Sequence, residues 1–279
     1  MDSADPKIQR ELTNQSPSNG QNQKWWVLLA IGIGTFMSAL DGSVVNTLLP
    51  VISRSFNPES AANLGSADVA QVEWVVTIYL LVLSGLLLSF GRLGDLRGHK
   101  IIYNTGFVIF LLSSALCGLA PTVQVLIIFR AIQAIGAAML SANSPAILTK
   151  SFPAEQRGQA LGLQATMTYL GLTVGPSLGG WIADQFSWRA VFYINVPVIL
   201  IALYLSMRFI PADKPEKITE SFDLKGAAVF MAGLVMLLYG LNQAHALGWT
   251  SPIILAVLFA ALLLITWFVF IELKQPYPM

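Results

Sequence analysis

The sequence predicts an all-α polytopic membrane protein with eight spans, and three observations predict it. Hydrophobic residues make up 55% of the chain and charged residues only 11%, against about 25% charged in soluble domains; mean hydropathy is +0.65. The apolar residues come in runs of roughly 20, the length a helix needs to cross about 30 Å of hydrocarbon. Lysine and arginine gather in alternate connections between those runs. A net charge of +1 and a pI near 7.8 give no footprint for nucleic acid. The single cysteine, Cys117, excludes an intramolecular disulfide and cannot by itself build a metal site.

Residues 1–24 read as a polar, cytoplasmic tail of mixed charge, and the apolar run after them is too long for a signal-peptide core. Span 1 covers 25–48 and carries Asp41. Span 2 covers 72–91. The connection GRLGDLRGHK (91–100) is a tight turn in which Gly98 suits a positive φ, and Arg92, Arg97 and Lys100 mark it as cytoplasmic. Span 3 covers 101–119, with Cys117 near its outer end, where an impermeant thiol reagent is expected to reach it. Span 4 covers 123–148 and carries Arg130; Lys150 and Arg157 follow it. Spans 5 and 6 cover 160–183 and 189–210. Segment 211–223 is a hydrophilic cytoplasmic linker with Lys214 and Lys217, and Asp223 is placed to cap span 7. Spans 7 and 8 cover 224–242 and 252–272, and 273–279 returns to the cytoplasm with Lys274. The outer connections hold only Arg54 and Arg189, so both termini are expected inside a multi-pass protein of the inner membrane. Trp25, Trp26, Trp74, Trp181, Trp188 and Trp249 lie near span ends and read as an interfacial belt.

Span 5 contains GLTVGPSLGG (171–180), whose Gly175-Pro176-Ser177-Leu178-Gly179 fits the G-x-S-x-G pattern of serine hydrolases. That chemistry needs a strand–turn–helix elbow and a nearby base. The stretch lies mid-span, and the histidines, His99 and His245, fall in connections elsewhere. Gly171, Gly175 and Gly179 instead recur every four residues and form a smooth stripe for close helix packing, with Gly180 beside it. Pro176 removes one helical N–H and bends the span. No enzyme is expected.

A repeat runs through the connections. Aligning Gly91 with Gly180 also aligns Asp95 with Asp184 and Lys100 with Arg189, at an offset of 89 residues each time. Each segment joins the second and third spans of a three-span unit, one inside and one outside, as an inverted-topology repeat requires. The same offset maps Asp41 onto Arg130. Each lies some seven to nine positions from the outer end of its span, roughly 10–13 Å below the interface. Ionised groups within spans cost roughly 2.5–3.5 kcal/mol on the insertion scale, so their retention points to use. A buried aspartate is the simplest proton carrier available, since burial favours the neutral acid and a nearby cation the carboxylate. Arginine keeps its proton and can only set that balance or hold an anionic group.

These residues resemble the major facilitator superfamily, and within it the drug–proton antiporter branch of the fourteen-helix kind. LDGSVVNTLLP (40–50), GRLGDLRGHK, IFRAIQAIGAA (128–138), GLTVGPSLGG and WRAVFYINVP (188–197) resemble five of its motifs, in order, over about residues 25–272. The chain departs at Leu96, where an arginine is usual, with Arg97 one place later. It departs again at His99, where a second basic residue is common, and at Ala134, where glycine is usual. The resemblance implies a six-helix N-terminal bundle (25–210) built as a 3+3 inverted repeat, followed by two linker helices (224–272). It implies proton-coupled efflux of small amphipathic or cationic drug-like compounds, driven by the proton gradient without a cofactor or metal. Asp41, Asn46, Arg130 and Gln133 would form the proton-coupling and substrate cavity. Gly91, Asp95, Arg97, Gly98 and Lys100 would form a gating loop, and Gly171, Gly175, Pro176, Gly179 and Gly180 the antiporter packing motif. The family works through two bundles, and the second is expected to be absent here, so its place falls to a missing C-terminal bundle or a second copy of the chain. The alternatives are a facilitator-type permease for a metabolite and a non-transporting membrane scaffold or sensor.

Overall fold

A run of apolar side chains in hydrocarbon leaves its backbone no water to bond, so each N–H and C=O must be satisfied within the segment, and a helix results. The computed structural model describes residues 18–56, 66–213 and 224–274, and all eight expected spans lie in helices. They are α1 (Ser18–Phe56), α2 (Ser66–Arg97), α3 (His99–Leu119), α4 (Val123–Ser151), α5 (Arg157–Gln185), α6 (Ala190–Phe209), α7 (Leu224–Leu247) and α8 (Pro252–Lys274), with a short 3₁₀ turn at Ala154–Gln156. The tail through residue 17, most of the linker with Asp223, and the last five residues lie outside the described segments.

The breaks between helices have local causes. Gly98, at φ 95°, separates α2 from α3, a backbone conformation that a side chain would strain. Thr122 caps α4 by accepting the N–H of Val125 at 3.3 Å. At 39 residues α1 is about 58 Å long and overreaches the hydrocarbon at its ends.

Seven of the helices are long and apolar enough to cross a membrane. The exception is α5, expected as a span of the same kind: at 29 residues it has the length, but its glycine, threonine and glutamine content lowers its hydropathy. Those residues have other uses. The glycines lie under α1, and Gln164 and Thr168 line a polar cavity.

The packing follows the sequence repeat. If α1, α2 and α3 are exchanged with α4, α5 and α6, the contact of α1 with α5 becomes that of α4 with α2, and α1 with α6 becomes α4 with α3. The α3–α6 contact maps onto itself. Gly106 and Gly136 bring α3 and α4 close: a Cβ at Gly136 would sit 2.7 Å from the Phe110 nitrogen. The α7–α8 hairpin lies against α2, with Trp74 and Tyr239 rings 5.8 Å apart. Large apolar side chains such as Leu255, Phe259, Leu262 and Phe270 cover the outside, as in a protein solvated by lipid.

Two apolar clusters fill the bundle. One gathers Ile31, Tyr79, Tyr103, Phe107 and Leu148 toward the α2–α3 connection. The other gathers Leu48, Ile52, Leu126, Trp188 and Phe192 toward the opposite end. Trp188 therefore belongs to the core rather than the interfacial belt: it is 3% exposed and packs on Phe56 and Phe192. Trp25, Trp26, Trp181 and Trp249 are exposed.

Candidate functional site

Between the two clusters lies a polar network with no exposure at all. Arg130 on α4 donates from Nη1 to Asp41 Oδ2 on α1 at 2.5 Å, and from Nη1 to Gln133 Oε1 at 2.9 Å. Gln133 Nε2 donates to Asp41 Oδ1 at 3.2 Å, and Asn195 Nδ2 on α6 donates to the same oxygen at 2.9 Å. Asn195 also donates to Ser114 Oγ on α3 at 3.0 Å, and Ser114 donates to the Phe192 carbonyl. Arg130 Nε reaches the Val75 carbonyl on α2 at 3.2 Å, and its guanidinium lies 4.1 Å from the Tyr79 ring centre. A single buried carboxylate thus gathers donors from α4 and α6 and balances one guanidinium. Two polar atoms keep unused capacity here, Arg130 Nη2 and Asn195 Oδ1.

Asn46 is not part of this network. It is exposed one turn beyond Asp41 and lines a separate open cavity of about 580 Å³ formed by α1, α2, α4 and α5. The expected set of four therefore divides: Asp41, Arg130 and Gln133 meet, and Asn46 faces the cavity. Tyr79 joins the two places. Its ring lies under Arg130, its hydroxyl is 3.2 Å from Ser38 Oγ, and both residues line the cavity wall. Cys117, expected within reach of an impermeant reagent, is buried beside the network with its thiol 3.6 Å from Gln133 Oε1.

The residues of the α2–α3 connection have separate surroundings. Asp95 is half exposed, with Oδ1 3.3 Å from His99 Nε2. His99 is buried, its Nδ1 2.8 Å from Asn143 Oδ1. Asn143 spends its amide hydrogens on the Phe90 and Met139 carbonyls, so His99 Nδ1 carries the proton in this contact. A Cβ on Gly94 would overlap the Asn143 and His99 side chains, so any larger residue there would displace the His99–Asn143 hydrogen bond. Gly91 has open space around it, and Arg97 is exposed. Lys100 Nζ donates to the Ile210 carbonyl at 2.5 Å and the Met207 carbonyl at 3.0 Å, capping the end of α6. Asp213, just past α6, accepts the backbone N–H of His99 at 2.7 Å and of Lys100 at 3.3 Å, capping α3 in return. Burial raises the pKa of Asp213, but these backbone donors outweigh it and hold the carboxyl below the usual carboxylate range.

Set beside known proteins, residues 31–276 match the profile of the Major Facilitator Superfamily. The chain belongs to that superfamily. It is 37% identical over 221 residues to the riboflavin transporter RibZ of Clostridioides difficile, covering 79% of this chain and 46% of the relative. It is 34% identical over 253 residues to the multidrug resistance protein Stp of Mycobacterium tuberculosis, covering 90% of this chain and 45% of the relative. A crystal structure of a peptide transporter, POT, shares the fold at 16% identity, with a TM-score of 0.63 over 89% of this chain and 52% of that one. The chain spans about half the length of the curated relatives it matches. This facilitator is a multi-pass membrane protein of a transporter family, not of an enzyme family.

Within that frame, the facilitator's glycine stripe lies along α1. A Cβ on Gly171 would sit 2.5 Å from the Phe36 carbonyl oxygen and 3.0 Å from the Leu40 nitrogen. One on Gly175 would overlap Ser43 Oγ, and one on Gly179 would sit 2.5 Å from Val44 Cγ1. Gly180 has nothing within 4 Å and takes no part in this contact. Pro176 lines the cavity, and Ser177 is exposed in the middle of α5. Sequence reasoning missed Asn195, Ser114, Tyr79 and Asp213. Asn195 had a signal, an amide in the middle of an otherwise apolar span.

Proposed function

We propose that this chain forms the N-terminal bundle of a proton-coupled efflux antiporter for small drug-like compounds, with Asp41 as the proton-coupling residue of this half. The observation that carries the reading is the fully buried Asp41–Arg130 pair, one Tyr79 side chain away from a polar cavity. The carboxylate is the titratable member, since arginine does not release its proton. A neutral Asp41 would no longer balance Arg130, but its new O–H has an acceptor at hand: rotation of the Asn195 amide presents the unused Oδ1 to it. The network can therefore hold either charge state with different partners, which is what coupling to a conformational change needs. The names of relatives, among them a multidrug resistance protein, support export of foreign compounds.

Alternating access rocks one bundle against another around a site between them. The partner of this bundle is a second six-helix unit, from further sequence or from a second copy of the chain. Both termini of the part described face the cytoplasm in this reading. A riboflavin transporter among the relatives favours a second reading, a facilitator that carries a metabolite.

The test is substrate-driven proton movement in proteoliposomes across a pH series. With the second six-helix unit supplied, wild type is expected to exchange protons for substrate, and Asp41→Asn to lose that exchange. An Asp41→Asn variant that pumps with an unaltered pH profile would make Asp41 a structural residue. Substrate movement without any proton movement would favour the metabolite facilitator.

A further inference from the structure

The wall of the 580 Å³ cavity offers more hydrogen-bond acceptors than donors, and none of its lining residues is charged. Most of its hydroxyls have already used their protons. Thr35 donates to the Ile31 carbonyl at 3.0 Å, Ser43 to the Leu40 carbonyl at 3.0 Å, and Thr168 to the Gln164 carbonyl at 3.2 Å. Thr47 donates to the Ser43 carbonyl at 3.5 Å, and Tyr79 shares its hydroxyl with Ser38. A hydroxyl has one proton and two lone pairs, so each of these groups faces the cavity as an acceptor.

Three polar side chains on the wall make no hydrogen bond within the described residues: Asn46 on α1, Ser141 on α4 and Gln164 on α5. They stand on three helices around one opening, and they can donate as well as accept, with two N–H groups on each amide and one O–H on Ser141, so the surplus of acceptors comes from the six hydroxyls already named. No carboxylate stands among the lining residues, and Asp41, behind the Tyr79 part of the wall, is 0% exposed and held by Arg130, Gln133 and Asn195. The remaining lining, including Val76, Leu80, Leu83 and Leu172, is apolar and suits a flat ring system.

From this accounting we propose that the cavity binds an uncharged aromatic compound rich in O–H or N–H donors, and that Asn46, Ser141 and Gln164 select it. A cation finds no counter-charge on this wall, and moving a full charge out of water without one is costly. An anion meets a surplus of acceptors. A neutral ring lacking donors satisfies none of the waiting lone pairs, which are then left buried and unpaired. This rests on reading the cavity as the substrate surface of the proposed transporter, and it narrows the expected cargo from amphipathic or cationic compounds to neutral donor-rich ones.

The experiment measures equilibrium binding to the full chain in lipid nanodiscs, with empty nanodiscs as the background. Three fluorescent probes of similar size are compared: an uncharged polyhydroxylated aromatic dye, its fully O-methylated counterpart, and a quaternary ammonium dye. The polyhydroxylated dye is expected to bind about tenfold more tightly than either of the others. Gln164→Leu should remove most of that advantage, while Gln164→Glu, at a half-buried position on the cavity wall, should shift the preference toward the ammonium dye. Equal binding of all three probes overturns the proposal, as does binding of none above background, or a Gln164→Leu variant with the wild-type ranking. Proton movement is read separately: selective binding without proton exchange leaves the cavity assignment standing and removes the antiport reading.

Discussion

Asp41 and Arg130 are each fully buried, and each is the other's balancing charge. Removing one member of such a pair leaves an uncompensated charge in low dielectric, at a cost of about 3–5 kcal/mol, whereas replacing both with apolar residues is often near neutral. Asp41→Asn is therefore expected to lower stability by that order in detergent denaturation, and not only to abolish proton exchange. Asp41→Leu combined with Arg130→Met should lose less stability than the sum of its singles, and it should remain inactive. It should stay below wild type, because the buried Gln133 and Asn195 amides lose their acceptor. If the double variant is as unstable as the sum of its singles, the pair is not coupled in this way. Arg130→Lys keeps a cation but loses the planar fork that serves Asp41, Gln133 and Val75 together, so a partial defect is expected. The sequence showed the two charges and their equal depth. It did not show Asn195 or Tyr79, because a lone amide or phenol in an apolar span reads the same whether it faces lipid, a neighbour or a buried charge.

At the scale of helices, the α1–α5 contact is set by what stands opposite each glycine. Gly171 faces backbone atoms of α1, which cannot move aside, while Gly175 faces the Ser43 hydroxyl, which can rotate. Gly171→Ala is thus expected to destabilise by about 1–3 kcal/mol, and Gly175→Ala by less. Gly180→Ala should be neutral or stabilise by up to roughly 1 kcal/mol, because it fills open space and favours helix. Thermal unfolding of the three variants checks the order, and a Gly180→Ala defect as large as that of Gly171→Ala would contradict it. The stripe was legible from its four-residue period; Gly180 was not separable from it, because only the facing helix shows which glycines are covered. The caps on α3 and α6 give a second prediction. Asp213→Ala removes the acceptor for two backbone N–H groups, a loss of about 0.5–2 kcal/mol. The folded-state pKa of Asp213 is lowered, so its contribution is present above the usual carboxylate range and lost as pH falls through the lowered value. The difference between wild type and Asp213→Ala should hold constant from about pH 5 upward and shrink in strong acid. A difference that instead grows on acidification would contradict the assignment. No short-range signal marks Asp213, whose contact with His99 spans 114 residues.

At the scale of the molecule, the eight helices were readable, seven of them long and apolar enough to cross a membrane, because a bilayer sets a minimum length and a low polarity for a crossing. The repeat was readable for a different reason: Lys100 and Arg189, aligned at an offset of 89 residues, have mirrored tasks. Lys100 donates to the last carbonyls of α6, and Arg189 Nη2 donates to the Ala120 carbonyl at the end of α3, at 3.1 Å. Each cation sits at the negative end of the other unit's third helix, where it is favoured by the helix dipole as well as by the hydrogen bond. In the proposed orientation, with both ends of the described part inside, this accounts for Arg189 as an exception to the inside bias of basic residues, since its contact is with the end of α3. The two caps lie at opposite ends of the α3–α6 pair, share no partner, and are expected to act independently. Lys100→Met and Arg189→Met should each lower the unfolding midpoint, and the double variant should show the sum of the two shifts. The same arrangement requires the caps to face opposite sides of the membrane. A cysteine placed at Arg54, on the Arg189 side, should react with an impermeant thiol reagent on intact cells, and one placed at Lys150, on the Lys100 side, should react only after permeabilisation. Buried Cys117 can stay in place, since it is expected to give no background. Labelling of both introduced cysteines from outside would break the inverted relation between the two units, and with it the reason for pairing Lys100 with Arg189.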